Sequence, residues 1–425
     1  MESLKERNTV LTKKRWVVLI ASCLINLCIG AMYAWSVFAT PMAEHLSGIL
    51  GKTLTAADLA IVFSIGNGDG FITLIAGGFI NEKLGTKWVI FAGGVLFGLG
   101  FVVCGLAQNM AMLILGYGIL SGLAMGLAYG QTISNSVKFF PDKAGLIGGI
   151  ATASYGISSV IIPPIANAMI NAVGVCKAFI IFGVFVIVVV GVCSQLIVKC
   201  PVDFVPDGWT PPAAKAKSGA KVPDKDWKGM LSSPVFYVML VMLFFGALFG
   251  MMVISQASSI AQKMLLMTPA TAAVVVSVLT LFNTFGRIIA GYISDRIGCI
   301  NTLTSVFVLA IVALALLYIS GGNQSVVLFY IGVCVIGVCF GAFMGVYPSF
   351  TASQFGSKNS SVNYGIMFIG FSAAGIAGPM IASNVFKSTG SYRQAFLIAA
   401  VLAVIGLVLA FLYRVMNRKD SAART

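Results

Sequence analysis

Twelve apolar runs, each about 20 residues or longer, constrain this chain more than anything else in it. A run of that length matches the roughly 30 Å of bilayer hydrocarbon at about 1.5 Å per helical residue. Inside hydrocarbon there is no water to satisfy the backbone, so such runs must be helices. They fall at about 16–41, 56–80, 88–107, 111–137, 144–171 and 178–198, then at 234–261, 270–293, 301–320, 325–350, 361–386 and 394–414. Only 9% of the 425 residues are charged and the mean hydropathy is +0.98. Soluble domains carry about 25% charge. The expected fold is an all-α membrane protein with twelve transmembrane helices.

Between the sixth and seventh runs the composition changes. Residues 199–233 hold Pro201, Pro206, Pro211, Pro212, Pro223 and six lysines, and read as a hydrophilic linker. The expected organisation is 1–198 as one six-helix bundle, 199–233 as a cytoplasmic basic linker, and 234–425 as a second bundle with a cytoplasmic tail. Of the 27 Lys and Arg, 21 fall in segments on the side of the N-terminus, five on the other side, and Arg287 inside a run. That bias places both termini and the linker in the cytoplasm of a multi-pass protein of the plasma or inner membrane. The net charge of +14 is therefore a topology signal and gives no support to nucleic-acid binding. The first run exceeds a signal-peptide core and is counted as a span. The nine cysteines show no metal-ligand spacing, and neither a catalytic Ser/His/Asp or Cys/His set nor a phosphate-binding Gly-x-x-x-x-Gly-Lys-Ser/Thr loop is present. No enzyme activity, cofactor or metal is expected.

Arg287 is the costly residue. A guanidinium at membrane depth costs roughly 2.5–3.5 kcal/mol on insertion scales. Its planar fork matches a carboxylate, which makes it the candidate anion site. Asn283, one turn earlier, shares its helix face and can orient it. Asp69 in the second run is equally expensive. It reads as a proton-coupling candidate, as a partner for Arg287, as a group exposed to an outer vestibule, or as a neutral hydrogen-bonded group.

The chain also repeats itself. Gly78-Phe-Ile-Asn-Glu82-Lys83-Leu-Gly85 matches Gly291-Tyr-Ile-Ser-Asp295-Arg296-Ile-Gly298 at an offset of 213 residues. Gly122, Gly126 and Gly130 return as Gly337, Gly341 and Gly345 at an offset of 215, read as small faces for close helix packing. Two pseudo-symmetric six-helix bundles follow from such a parallel repeat. Arg287 falls opposite Leu74, so the repeat does not demand an arginine there.

Two six-span halves, a basic central loop and the Gly-x-x-x-Asp/Glu-Lys/Arg-x-Gly element after spans 2 and 8 resemble the major facilitator superfamily over nearly the whole chain. Tyr33-Ala-Trp-Ser, Phe139-Phe-Pro-Asp-Lys143-Ala-Gly-Leu and Asn363-Tyr-Gly365 resemble its oxalate/formate antiporter and bacterial monocarboxylate transporter branch. The resemblance implies two bundles around a central cavity and alternating access. It implies that Arg287 binds a substrate carboxylate, and that Tyr33, Tyr129, Phe340, Tyr347 and Phe371 line or approach the cavity. Glu82, Lys83, Asp295 and Arg296 match pairs that latch the halves. Where the oxalate carrier has a second cation, eight residues after the asparagine of Asn-Tyr-Gly, this chain has Phe371. Other cavity positions carry Phe340, Met344 and Met32, making a less polar lining. One cation suits one carboxylate, so the expected substrate is a small monocarboxylate of the lactate, pyruvate or formate kind. Asn283 stands where animal monocarboxylate transporters place an acid, so either proton symport or anion exchange remains open as the coupling. The expected partners are that anion, a proton as candidate coupling ion, and the lipid bilayer, with one copy of the chain. The alternatives are an oxalate/formate antiporter and, from another class, a non-transporting carboxylate sensor or partner-binding membrane protein.

Overall fold

The structure, a computed structural model, describes residues 2–56, 58–68, 70–210 and 224–422. Among these the chain is helical and contains no strand. α1 (Glu2–Ile29) passes through a 3-10 turn (Gly30–Ala34) into α2 (Trp35–Leu50). Then come α3 (Ala60–Gly68), α4 (Gly70–Leu84) and α5 (Thr86–Gly105). α6 (Met110–Leu113) continues through a π-helical stretch (Ile114–Ser121) into α7 (Gly122–Phe139), followed by α8 (Ala144–Val173) and α9 (Val175–Leu196). A short α10 (Trp227–Leu231) leads to α11 (Pro234–Ile254), α12 (Ala257–Met264), α13 (Pro269–Ile297), α14 (Cys299–Asn323), α15 (Val326–Phe355), α16 (Ser360–Thr389) and α17 (Arg393–Ala422).

Eleven stretches of the described residues are long and apolar enough to cross a membrane. The second expected span, 56–80, is helical on both sides of Asp69 as α3 and α4, and Asp69 lies outside the described residues.

The chain forms two compact units. Unit 1 comprises Met1–Asp142, Ser154–Trp209 and Tyr364–Ile366, and unit 2 comprises Lys143–Ala153, Thr210–Asn363 and Met367–Thr425. The opening turns of α8 thus belong to unit 2, and a short piece of α16 to unit 1.

Each unit has an aromatic core. In unit 1, Phe38 stacks on Phe179 with ring centroids 4.2 Å apart, and Phe97, Phe101, Tyr117 and Phe182 close around them. In unit 2, Phe307, Phe343, Tyr347 and Phe350 form a chain of ring contacts that ends on Tyr413. A buried phenol needs a partner. Tyr117 donates to the Met32 carbonyl (2.6 Å) and Tyr347 to the Met239 carbonyl (2.8 Å), the same solution in both units.

The repeat is visible in the backbone. Gly85 and Gly298, each closing the acid–base element, have φ of 81° and 86°, a conformation that glycine adopts at no steric cost. In unit 1 the small face of α7 meets α4 at Leu74: a methyl on Gly126 would lie 2.7 Å from Leu74 N, and one on Gly130 3.1 Å from Leu74 Cγ. In unit 2 the small face of α15 meets α13 at Arg287: a methyl on Gly341 would lie 3.0 Å from Arg287 N, and one on Gly345 2.9 Å from Arg287 Cα. Leu74 and Arg287 therefore occupy matching places in the two units.

Both described ends of the linker are tied down. On unit 1, Arg7 pairs with Asp203 (2.6 Å), the Asp207 amide donates to Thr12 Oγ1, and Asn135 accepts from the Cys200 amide while donating to the Val198 carbonyl. The hydrogen bond from Arg7 holds the Asp203 carboxyl below the usual carboxylate range. On unit 2, the Asp224 carboxylate accepts from the Lys358 amide, and the Lys225 carbonyl accepts from the side-chain amides of Asn359 and Asn363.

Candidate functional site

α13 carries the site. Thr268 accepts from the Thr271 amide at its N-cap and Pro269 opens the first turn, a pairing favoured at helix starts. Fifteen residues after Thr268, a β-branched and apolar run gives way to Asn283, Thr284 and, one turn on, Arg287. Thr284 returns its hydroxyl to the Thr280 carbonyl and leaves the ladder intact.

Arg287 is buried, with 4% of its surface exposed. Its Nε donates to Asn283 Oδ1 at a long 3.4 Å, and its Nη1 donates to the Thr152 carbonyl at 2.7 Å. Thr152 lies in the opening turns of α8, in unit 2. Its own hydroxyl turns back to the carbonyls of Gly148 and Gly149, so its carbonyl is the group that meets the guanidinium. The approach depends on size: a methyl on Gly149 would come within 3.1 Å of Ile288 Cα and closer still to the Arg287 carbonyl. Two partners consume two of the five N–H donors of the fork.

No carboxylate among the described residues pairs with Arg287. The sequence gives a reason within unit 2: from Trp227 to Lys419 the one acidic residue is Asp295. That carboxylate sits two turns away at the end of α13 and is otherwise engaged. Its two oxygens accept from the amides of Gly145 (2.6 Å) and Leu146 (2.8 Å), capping the N-terminus of α8. An acid there also meets the positive end of the helix dipole. Leaving a buried charge without its charged partner typically costs about 3–5 kcal/mol, and this guanidinium is held by neutral oxygens alone.

The other expected residues fall into separate groups. In unit 1, Tyr155 links Tyr33 and Tyr129, with ring centroids at 5.3 and 4.8 Å. Tyr33 is 36% exposed on the 3-10 turn, and Tyr129 is buried. In unit 2, Phe371 lies 6.1 Å from Phe340 and 4.5 Å from Phe368, centroid to centroid. Tyr347 is fully buried with its hydroxyl committed to Met239. Glu82 and Lys83 are exposed at the end of α4. Arg296 stands over the Tyr292 ring, 4.4 Å from its centroid, and donates to its hydroxyl. Among the described residues no group of three His, Cys, Asp or Glu is placed to hold a metal ion.

Three contributors escaped the sequence reading. Thr152 acts through its backbone carbonyl, which no residue pattern announces. Tyr155 and Phe368 were each foreshadowed by an aromatic in a polar or glycine-rich span, a signal too common to act on alone.

The profile of the Major Facilitator Superfamily matches residues 23–379. A protein of Escherichia coli (strain K12) named "Uncharacterized MFS-type transporter YhjX" is 31% identical over 367 residues, covering 86% of each chain. The "Oxalate:formate antiporter" of Oxalobacter formigenes is 27% identical over 407 residues, covering 95% of this chain and 92% of that one. Among solved structures, the transporter FucP in the outward conformation aligns with a TM-score of 0.69 at 16% identity, covering 94% of this chain and 99% of that one. Helical composition, the repeated acid–base element and a profile match over most of the chain agree: the protein belongs to the Major Facilitator Superfamily and is a multi-pass membrane transporter, not an enzyme.

Proposed function

We propose that the protein is a secondary transporter of a small monocarboxylate, of the lactate, pyruvate or formate kind, with Arg287 as the carboxylate's anchor. The observation that carries this reading is the buried Arg287 guanidinium, held by Asn283 and the Thr152 carbonyl, with no carboxylate partner among the described residues. A bound carboxylate neutralises it. An empty site keeps a bare cation in a low-dielectric place, which penalises closure around nothing and so couples movement to cargo. Alternating access by anion exchange, or by symport of anion with proton, satisfies that rule. Asn283 accepts a hydrogen bond but carries no proton of its own to exchange, so a proton-coupled cycle needs another group, for which Asp69 is the candidate. Tyr33 and Tyr129 are proposed as further selectivity residues, and both termini are placed in the cytoplasm.

Oxalate/formate exchange is the second reading, favoured by the antiporter relative. Phe371 argues against it. A second carboxylate near the Phe340–Phe368–Phe371 group would be stripped of water beside rings, at a cost of several kcal/mol.

Uptake of labelled L-lactate, formate and oxalate into proteoliposomes tests both readings. One set carries an inward proton gradient, and another is preloaded with unlabelled anion at equal pH. Arg287→Gln is expected to lower uptake at least about 100-fold, the loss of a charge-assisted carboxylate contact worth about 3 kcal/mol. Wild-type uptake by that variant would remove Arg287 from the mechanism. Phe371→Lys is expected to confer oxalate exchange that the natural protein lacks. Fast oxalate exchange by the natural protein would instead establish the second reading.

A further inference from the structure

The end of unit 2 opposite Asp295 gathers three cations with no acid. Lys263 ends α12, just before α13 begins. Lys387 lies in the last turn of α16, and Arg393 opens α17. Asp295, at the far end of α13, is the single acidic residue between Trp227 and Lys419, so nothing in these helices neutralises the cations.

The cations are built in. Lys263 Nζ stands 4.3 Å from the centroid of the Phe386 ring. Phe386 stacks on Tyr392, and Tyr392 is fixed by hydrogen bonds with Ser259 and Gln256. Arg393 lies over the Tyr318 ring at 4.4 Å and donates to the Tyr318 carbonyl. Met264 and Arg393 share the space in front of Gly321, where an added methyl would lie 2.6 Å from Met264 Sδ and 2.9 Å from Arg393 Cγ. Ring faces attract the cations without neutralising them. Two charges are therefore each oriented by a ring face while their net field persists.

We propose that this end of unit 2 is a capture surface for the small carboxylate anion, which it concentrates before the anion reaches Arg287. The identity of the anion rests on the monocarboxylate reading above. On the Lys/Arg topology this is the outer end, where cations are normally scarce, yet three of the five outer cations stand here. The anionic leaflet whose lipids recruit basic clusters is the cytoplasmic one, so a soluble anion fits this surface better than a lipid headgroup. A patch of one sign raises the local concentration of the opposite ion and its on-rate by about 10-fold to 1,000-fold, and salt removes the effect.

Two measurements on the full chain in phosphatidylcholine vesicles test this. The first needs no transported substrate. Ser388→Cys, beside Lys387, is placed in a Cys176→Ser background, and its reaction rates with anionic and cationic methanethiosulfonate reagents are compared. The anionic reagent is expected to be favoured at low salt, and Lys263→Gln with Lys387→Gln to lower the anionic-to-cationic rate ratio about 10-fold. A ratio unmoved by those substitutions overturns the capture surface. The second is formate and L-lactate uptake against ionic strength. The double variant is expected to raise KM about 10-fold at low salt with kcat within about two-fold, the difference vanishing in high salt. A change in kcat alone, or a reagent preference that phosphatidylglycerol abolishes while KM stays put, assigns the cations to structure or lipid and overturns the proposal. Arg287→Gln separates the two readings: it is expected to abolish uptake and leave the reagent ratio intact. Uptake surviving in that variant sinks the Arg287 mechanism without touching the ratio.

Discussion

Arg287 and Leu74 hold matching places in two related units, each with its backbone clamped against a small helix face. Leucine fits that place at no electrostatic cost. Arginine there brings a charge that no carboxylate among the described residues of its unit pairs with, and in the function proposed above a carboxylate ligand supplies that partner. Asn283 accepts from the guanidinium at 3.4 Å, and in the proposed function that long contact shortens when an anion polarises the fork. Asn283→Ala is expected to raise the KM of the transported anion about 10-fold, about 1.4 kcal/mol, with a smaller effect on kcat. Asn283→Asp is the contrasting variant. It supplies the missing counter-charge, so it is expected to weaken anion binding further than alanine does, read by the same uptake series. Equal KM values for wild type, Ala and Asp would show that Asn283 neither orients nor balances Arg287.

At the scale of the elements, α13 is positioned by glycines on its neighbours. α15 reaches it through Gly337, Gly341 and Gly345, and the opening turns of α8 reach it through Gly145 and Gly149. Gly345→Val puts branched carbons on the Arg287 backbone and is expected to destabilise by about 1–3 kcal/mol or more, visible as a lower melting temperature in detergent. Gly375→Ala in α16 is the control: nothing lies within 4 Å of the added methyl, so a slight stabilisation is expected from helix propensity. The ladder and its offset were legible in the sequence because periodicity records which face is small. Its partner was legible only for the helix that follows the same repeat. That the start of α8 also touches α13, delivering the Thr152 carbonyl to Arg287, had no trace in spacing, since backbone groups are the same at every residue.

At the scale of the whole molecule, residues 199–233 read from their prolines and lysines as a hydrophilic linker, and its described start, residues 198–207, is fastened to unit 1 by the Asn135 clasp, the Arg7–Asp203 pair and the Asp207–Thr12 contact. The Asp203 carboxyl, depressed in the folded protein, contributes stability above its ordinary value of about 3.9 and loses it as pH falls through the folded value. Melting temperatures of wild type and Arg7→Ala are therefore expected to differ slightly at pH 7 and to converge as pH drops below about 3.9. A difference that persists in acid would mean that Arg7 acts by packing, not by charge. The effect is small because both groups are exposed.

Hydrophobic length alone determined that the chain spans a membrane as helices, because a backbone without water must satisfy itself within each segment. Repeated glycine and acid–base spacing determined that it is built twice, and a lone intramembrane arginine pointed to an anion. Tertiary structure decided what surrounds that arginine: neutral oxygens from Asn283 and Thr152, and an Asp295 already spent on the amides of α8. It also decided that the buried Tyr347 gives its hydroxyl to the Met239 carbonyl and that Tyr155 joins Tyr33 to Tyr129. A sequence records which groups a chain carries. Which of them remain unpaired depends on how helices distant in sequence meet, and that is set by packing.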